Sequence, residues 1–190
     1  MLKRGFKSWC EKTSLQYREK LGIDKKMPLN AFQLAEHLKI KTISPIQIQG
    51  ISEGCITTLL SDESDSWSAV TICLNSERQI IVYNSSNVPW RQSNDIMHEI
   101  SHVVIGHKAQ MVHSLDAGLF LRHYDKDQED EADWLAGTFL LPKDALFRIC
   151  YSNDKSKMAK EYMVSEKLLN MRLNVSGVNR IKQRSNRVFS

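Results

Sequence analysis

The sequence predicts an α+β fold in which a small, mostly antiparallel sheet packs on a central helix, with short helices at the carboxyl end. Three observations predict it. Apolar residues recur at helical spacing near the start of the chain, they do so again from Pro89 onward, and the stretch between breaks into short runs rich in β-branched residues. At 190 residues, 42% hydrophobic and 25% charged, the chain has the length and composition of one ordinary globular domain, so residues 1–190 are read as a single unit. Disorder, collagen-like repeats and a coiled-coil rod are excluded by the same composition.

Taking the elements in order, Phe6, Trp9, Cys10, Thr13, Tyr17 and Leu21 define a first amphipathic helix that Gly22 can close. Pro28 suits the first turn of a second helix, whose apolar face is Ala31, Leu34, Ala35 and Leu38, and the chain turns extended near Ile40. Residues 55–60, 69–74 and 79–83 read as strands. The last two flank Asn75-Ser76-Glu77-Arg78, a polar stretch suited to a hairpin, so that pair is expected to be antiparallel. From Pro89 a helical stripe of Ile96, Ile100, Val103 and Val104 runs to Gly106, which can end it. Residues 108–126 read as a loop. A long helix then begins near Gln128 and is closed by Leu141-Pro142. Two or three short helices follow, one opened by Ser165 with Leu168, Leu169 and Leu173 on its apolar face.

No apolar run is long enough to cross a bilayer, and the opening residues MLKRGFKSWCEK lack the pattern of a secretory signal, so a cytoplasmic location with no membrane partner is expected. Cys10, Cys55, Cys73 and Cys150 are too far apart for a zinc knuckle or a redox dithiol and are read as reduced thiols. The net charge of +4 comes mainly from the chain ends. The tail, residues 179–190, is read as a solvated, partly frayed end.

The chemistry concentrates in His98-Glu99-Ile100-Ser101-His102. Two histidines four residues apart on a helix project within roughly 40° of each other and can reach one metal, while Glu99, turned by about 100°, lies beside the metal, where it can act as a general base. Catalytic zinc (Zn2+) takes three protein ligands and keeps a position open. His107, nine residues after His98, extrapolates to the opposite helix face and is read as a polar residue just past the helix end. The acidic run Gln128-Glu129-Asp130-Glu131-Ala132-Asp133 offers a third ligand. Glu129 is preferred, because Asp133 shares its face and can accept the free ring N–H of a ligating histidine; Glu131 stays open as the alternative.

These residues carry a family likeness. Residues 96–107, with His98, Glu99, His102 and the trailing Gly106-His107, and the block from Glu129-Asp130-Glu131-Ala132-Asp133 through Leu140-Leu141-Pro142, resemble the ImmA/IrrE family of metallo-endopeptidases. The stretch 28–43 is similar to that family's early helix, and the likeness spans about residues 27–178. Asp133 stands where the family often has asparagine. The resemblance implies a zincin-like fold and proteolysis of a regulatory protein such as a helix-turn-helix repressor encoded nearby, and the residues themselves suggest zinc on His98, His102 and Glu129 with Glu99 as catalytic base. An extended substrate could add to a sheet edge, for which residues 79–83 are the candidate. His113, His123 and Tyr124 lie in the segment that could cover the site and are assigned no role. The competing class is a non-catalytic metal-binding regulator of protein or DNA, prompted by residues 164–173, which resemble the second half of a helix-turn-helix, and by the basic tail.

Overall fold

The structure is a computed structural model and describes residues 2–61, 67–73, 79–107, 110–115, 119–123 and 125–188. Helix α1 (Phe6–Lys20) leads to α2 (Ala31–His37), strand β1 (Lys41–Ile43), a 3-10 turn (Pro45–Gln47) and α3 (Glu53–Leu60). Strands β2 (Ala69–Cys73) and β3 (Gln79–Tyr83) precede the long helix α4 (Pro89–Ile105). Then come β4 (Gln110–Leu115), β5 (Leu119–His123) and α5 (Lys126–Leu140). Helices α6 (Lys143–Cys150), α7 (Lys155–Glu161), α8 (Glu166–Val175) and α9 (Val178–Val188) complete the chain.

The described strands form one sheet in the order β1-β3-β2-β5-β4, with β1 parallel to β3 and the other neighbours antiparallel. The expected antiparallel pairing of β2 with β3 is present, Val70 lying opposite Val82. The residues expected to form its turn lie outside the described residues. Three expectations are corrected. Residues 55–60 are helical: Ser52 caps α3 by accepting the Cys55 N–H at 3.2 Å, and within the helix the Thr57 and Thr58 hydroxyls donate to Glu53 O and Gly54 O at 2.9 Å. The serine N-cap favours the helix over the weak strand preference of threonine and isoleucine. The supposed loop 108–126 contains β4 and β5, which extend the sheet. Residues 79–83 are no edge, since β3 is enclosed between β1 and β2; the outer described strands are β1 and β4.

The helices also differ in detail. Asn30 caps α2 through the N–H groups of Phe32 and Gln33, so Pro28 lies ahead of the helix rather than in its first turn. In α1 the buried residues are Cys10, Thr13, Ser14 and Arg18, and Trp9 is turned outward to stack on Phe6. The tail is helical through α9, where Lys182 donates to Cys150 O at 2.6 Å and lies over the Tyr151 ring.

What positions the functional region is the pairing of α4 with α5. Ile96, Met97 and Ile100 of α4 and Leu135, Phe139 and Leu140 of α5 are fully or almost fully buried in one apolar cluster. Burial of each such side chain stabilises the fold by about 1.5–3 kcal/mol. Val103 and Val104, expected in the same stripe, are only partly buried. The carboxyl end of α5 is clamped: Arg18 donates to Phe139 O at 2.6 Å, Ser14 to Thr138 O at 3.1 Å and Arg172 to Leu141 O at 3.1 Å. Those carbonyls are among the orphan acceptors of a helix end, so satisfying them anchors α5 and holds its acidic first turns against α4.

Candidate metal centre

Helix α4 begins at Pro89, whose missing N–H matches an unpaired helix position, and ends in a Schellman turn at Gly106. Gly106 has φ 78°, its N–H donates to Val103 O, and the next N–H, that of His107, donates to His102 O at 3.0 Å. Helix α5 begins at a capping box in which Asp125 accepts from Gln128 N–H at 2.9 Å and the Gln128 side chain accepts from Asp125 N–H. The two helix segments meet with Glu129 and Asp133 of α5 facing the histidines of α4 and with Glu131 facing His107 just past the end of α4.

His98 Nε2 and His102 Nε2 approach to 3.0 Å. Glu129 closes the set, with one oxygen 3.1 Å from His98 Nε2 and the other 3.5 Å from His102 Nε2. A tetrahedral ion with bonds of about 2.0–2.1 Å has ligand–ligand edges of about 3.3–3.4 Å, so the spacing suits such an ion. Among the described residues these three are the group that could hold a metal. Glu131 instead faces His107 Nε2 at 3.1 Å, and the two carboxylates that the sequence could not separate do different things.

Each ring has a partner on its other nitrogen. Asp133 Oδ1 accepts from His98 Nδ1 at 2.8 Å, and His107 Nδ1 lies 2.9 Å from His102 Nδ1. With Nδ1 engaged on both rings, both Nε2 atoms turn toward Glu129. With the ring protons on Nδ1, two lone pairs and a carboxylate converge there, and a cation is the natural counterpart of such a set. Burial works against a charged His98 ring, but the Asp133 bond and charge, joined by Glu99 and Glu129, outweigh it and raise the pKa above its ordinary value.

Glu99 points elsewhere. Thr71 Oγ1 in β2 donates to Glu99 Oε2 at 2.5 Å. Burial raises the Glu99 pKa, and the Thr71 bond opposes the rise. Thr71 is itself 1% exposed. Nothing in the β-rich run 69–74 singled it out, because the bond depends on which strand face lies under α4. His113 falls in β4 and His123 in β5, while Tyr124 lies outside the described residues.

A sequence model of the peptidase M78 family, described as the IrrE N-terminal-like domain, matches residues 58–174. The chain belongs to this family. The match takes in β2 through α8, hence both helices of the candidate centre, and makes this IrrE-like chain a member of a metallopeptidase family. A comparison with curated proteins found no match. No helix among the described residues is long and apolar enough to cross a membrane.

His107 is the residue that sequence reasoning misjudged. Extrapolating the helix by about 100° per residue puts it opposite His98. The helix stops at Ile105, and the left-handed Gly106 folds His107 back over His102, with its side chain 5% exposed. The signal was present in Gly106-His107, a glycine at a helix end, but its consequence for a side chain is three-dimensional.

Proposed function

We propose that this chain is a zinc-dependent endopeptidase, a single cytoplasmic domain over residues 1–190, that cuts a protein substrate such as a helix-turn-helix repressor. The observation that carries it is the convergence of His98 Nε2, His102 Nε2 and a Glu129 carboxylate, with Glu99 held separately by Thr71. Two imidazoles and one carboxylate leave a coordination position open, the donor set of catalytic rather than structural zinc. One apolar cluster running from Cys10 to Val178 supports the single-domain reading, and the free, exposed Cys55 suits a reducing compartment.

When bound, zinc supplies a Lewis acid that makes water easier to deprotonate and a peptide carbonyl easier to attack. Glu99 takes the proton from the attacking water through the carboxylate edge that Thr71 does not hold, then delivers it to the departing amide nitrogen. Thr71 holds the other edge of that carboxylate in place. Asp133 holds the His98 ring in orientation. With β3 enclosed, an extended substrate would pair with an outer strand, β1 or β4 among those described.

The test pairs wild-type protein with Glu99→Gln against the product of the neighbouring gene. Wild type cleaves it; Glu99→Gln retains zinc and loses roughly 100- to 10,000-fold in rate, the usual range for removing a general base. Full cleavage by a zinc-loaded Glu99→Gln sinks the mechanism. DNA binding that falls steeply with salt and ignores zinc removal would point instead to the metal-binding regulator.

A further inference from the structure

The two histidines of the centre are held in different ways. His98 leans on Asp133, a carboxylate 74% exposed to solvent. His102 leans on a second histidine that leans on a second carboxylate, and this chain is enclosed: the side chains of His102, His107 and Glu131 are 1%, 5% and 9% exposed. We propose that His107 and Glu131 are positioning residues, a buried relay that sets the tautomer of His102 and holds its Nε2 lone pair toward the metal. The inference rests on the metallopeptidase reading above.

The proton positions follow from the partners. A carboxylate oxygen can only accept, so His107 Nε2, 3.1 Å from Glu131 Oε2, carries a proton and donates it. With His107 carrying that single proton, its Nδ1 is left as an acceptor. His102 Nδ1, 2.9 Å away, must then carry the proton, and the lone pair of His102 falls on Nε2, the atom that faces His98 and Glu129. Glu131 thus decides the state of a ring it does not touch. Its other oxygen faces Lys3 Nζ at 3.4 Å, so both ends of the carboxylate are engaged.

The backbone enforces the arrangement. The bond from His107 N–H to His102 O fixes the two residues against each other, and it exists because Gly106 takes up φ 78°. On α5, Glu129 and Asp133 share a face while Glu131 is turned about 160° from it, toward the carboxyl end of α4. One helix therefore supplies a carboxylate to the metal position, one to His98 directly and one to His102 through His107. In a site of low polarity such linked bonds strengthen one another, so the ring is held and made a better donor.

The experiment measures zinc affinity by chelator competition, and the visible spectrum of the cobalt-loaded protein, for wild type, His107→Phe, His107→Gln, Glu131→Gln and Glu129→Gln. Imidazole 15N spectra of the metal-free wild type report the His102 tautomer. Expected are a proton on His102 Nδ1, a roughly 10- to 100-fold weaker zinc affinity with an altered cobalt spectrum in His107→Phe, partial rescue in His107→Gln, and a smaller loss in Glu131→Gln, which keeps an acceptor. Glu129→Gln should lose the most. Should His107→Phe fail to fold, Glu131→Gln and the wild-type tautomer still decide the matter. A His102 proton on Nε2, or wild-type affinity in both His107→Phe and Glu131→Gln, overturns the relay alone. A loss in Glu131→Gln equal to that in Glu129→Gln makes Glu131 a direct ligand and also overturns it. Wild type that takes up no zinc overturns the metallopeptidase reading itself.

Discussion

Replacing Gly106 tests whether the end of α4 is built as described. The residue sits at φ 78° and ψ 33°, and a Cβ placed on it would meet nothing within 4 Å. Crowding therefore contributes nothing to Gly106→Ala, and the cost in the folded state is backbone strain. An L-residue in the left-handed region costs about 1–2 kcal/mol. The lower conformational freedom of alanine in the unfolded chain offsets about 0.4–1 kcal/mol of that, leaving a net destabilisation of about 1 kcal/mol. For a domain of this size the melting temperature should fall by about 2–4 °C. Asparagine tolerates the left-handed region better, so Gly106→Asn should lie between alanine and wild type. The assay is thermal unfolding by circular dichroism with a chelator present, so that metal binding does not contribute, followed by zinc affinity on the same samples. If the strain is relieved by unwinding the turn, His107 leaves His102 and affinity falls as well. An alanine variant that melts at or above wild type refutes the left-handed cap and the argument for His107 that depends on it.

Thr71→Val, nearly isosteric, removes only the donor to Glu99; zinc affinity should stay at the wild-type value while kcat falls about 10- to 100-fold, and an unchanged kcat with a raised KM would show that Thr71 serves substrate instead. At pH 8 iodoacetamide should modify Cys55, which is exposed, while Cys10 and Cys150 react only after unfolding; peptide mass mapping of native protein that finds Cys10 labelled would contradict its burial. Burial pushes the Cys10 thiol up to about 12, so the folded state keeps a proton that the unfolded chain loses near pH 8.5. That contribution is complete below pH 8.5 and is lost as pH rises toward 12, with a slope of up to about 1.4 kcal/mol per pH unit. Urea midpoints between pH 9 and 11 should fall less steeply for Cys10→Ala than for wild type, and equal slopes would count against a buried neutral thiol.

Much of the molecule can be read from local pattern. The 3.6-residue period of Ile96 and Ile100 marks the core face of α4, and the four-residue spacing of His98 and His102 puts both rings on one side. The same spacing puts Glu129 and Asp133 on one face of α5, where one lies against the two Nε2 atoms and the other against His98 Nδ1, but it leaves Glu131 open as the alternative to Glu129. These relations lie within single helices, whose geometry is nearly the same wherever they occur. The strand order is different: that β3 is enclosed while β1 and β4 lie outside depends on pairings among segments far apart in the chain. Residues 55–60 show a narrower failure, where a capping serine starts a helix in a strand-like composition.

By itself, then, the sequence determined the two-histidine helix, the acidic helix that answers it and the candidate donors they carry, because each is a matter of spacing along one regular element. Only the tertiary structure decided that Glu131 belongs to His107, that His107 returns to His102, and that Thr71 holds Glu99. Each of those contacts crosses a chain reversal or joins two elements, and its geometry is set by how α4, α5 and the sheet pack, which no period along the chain records.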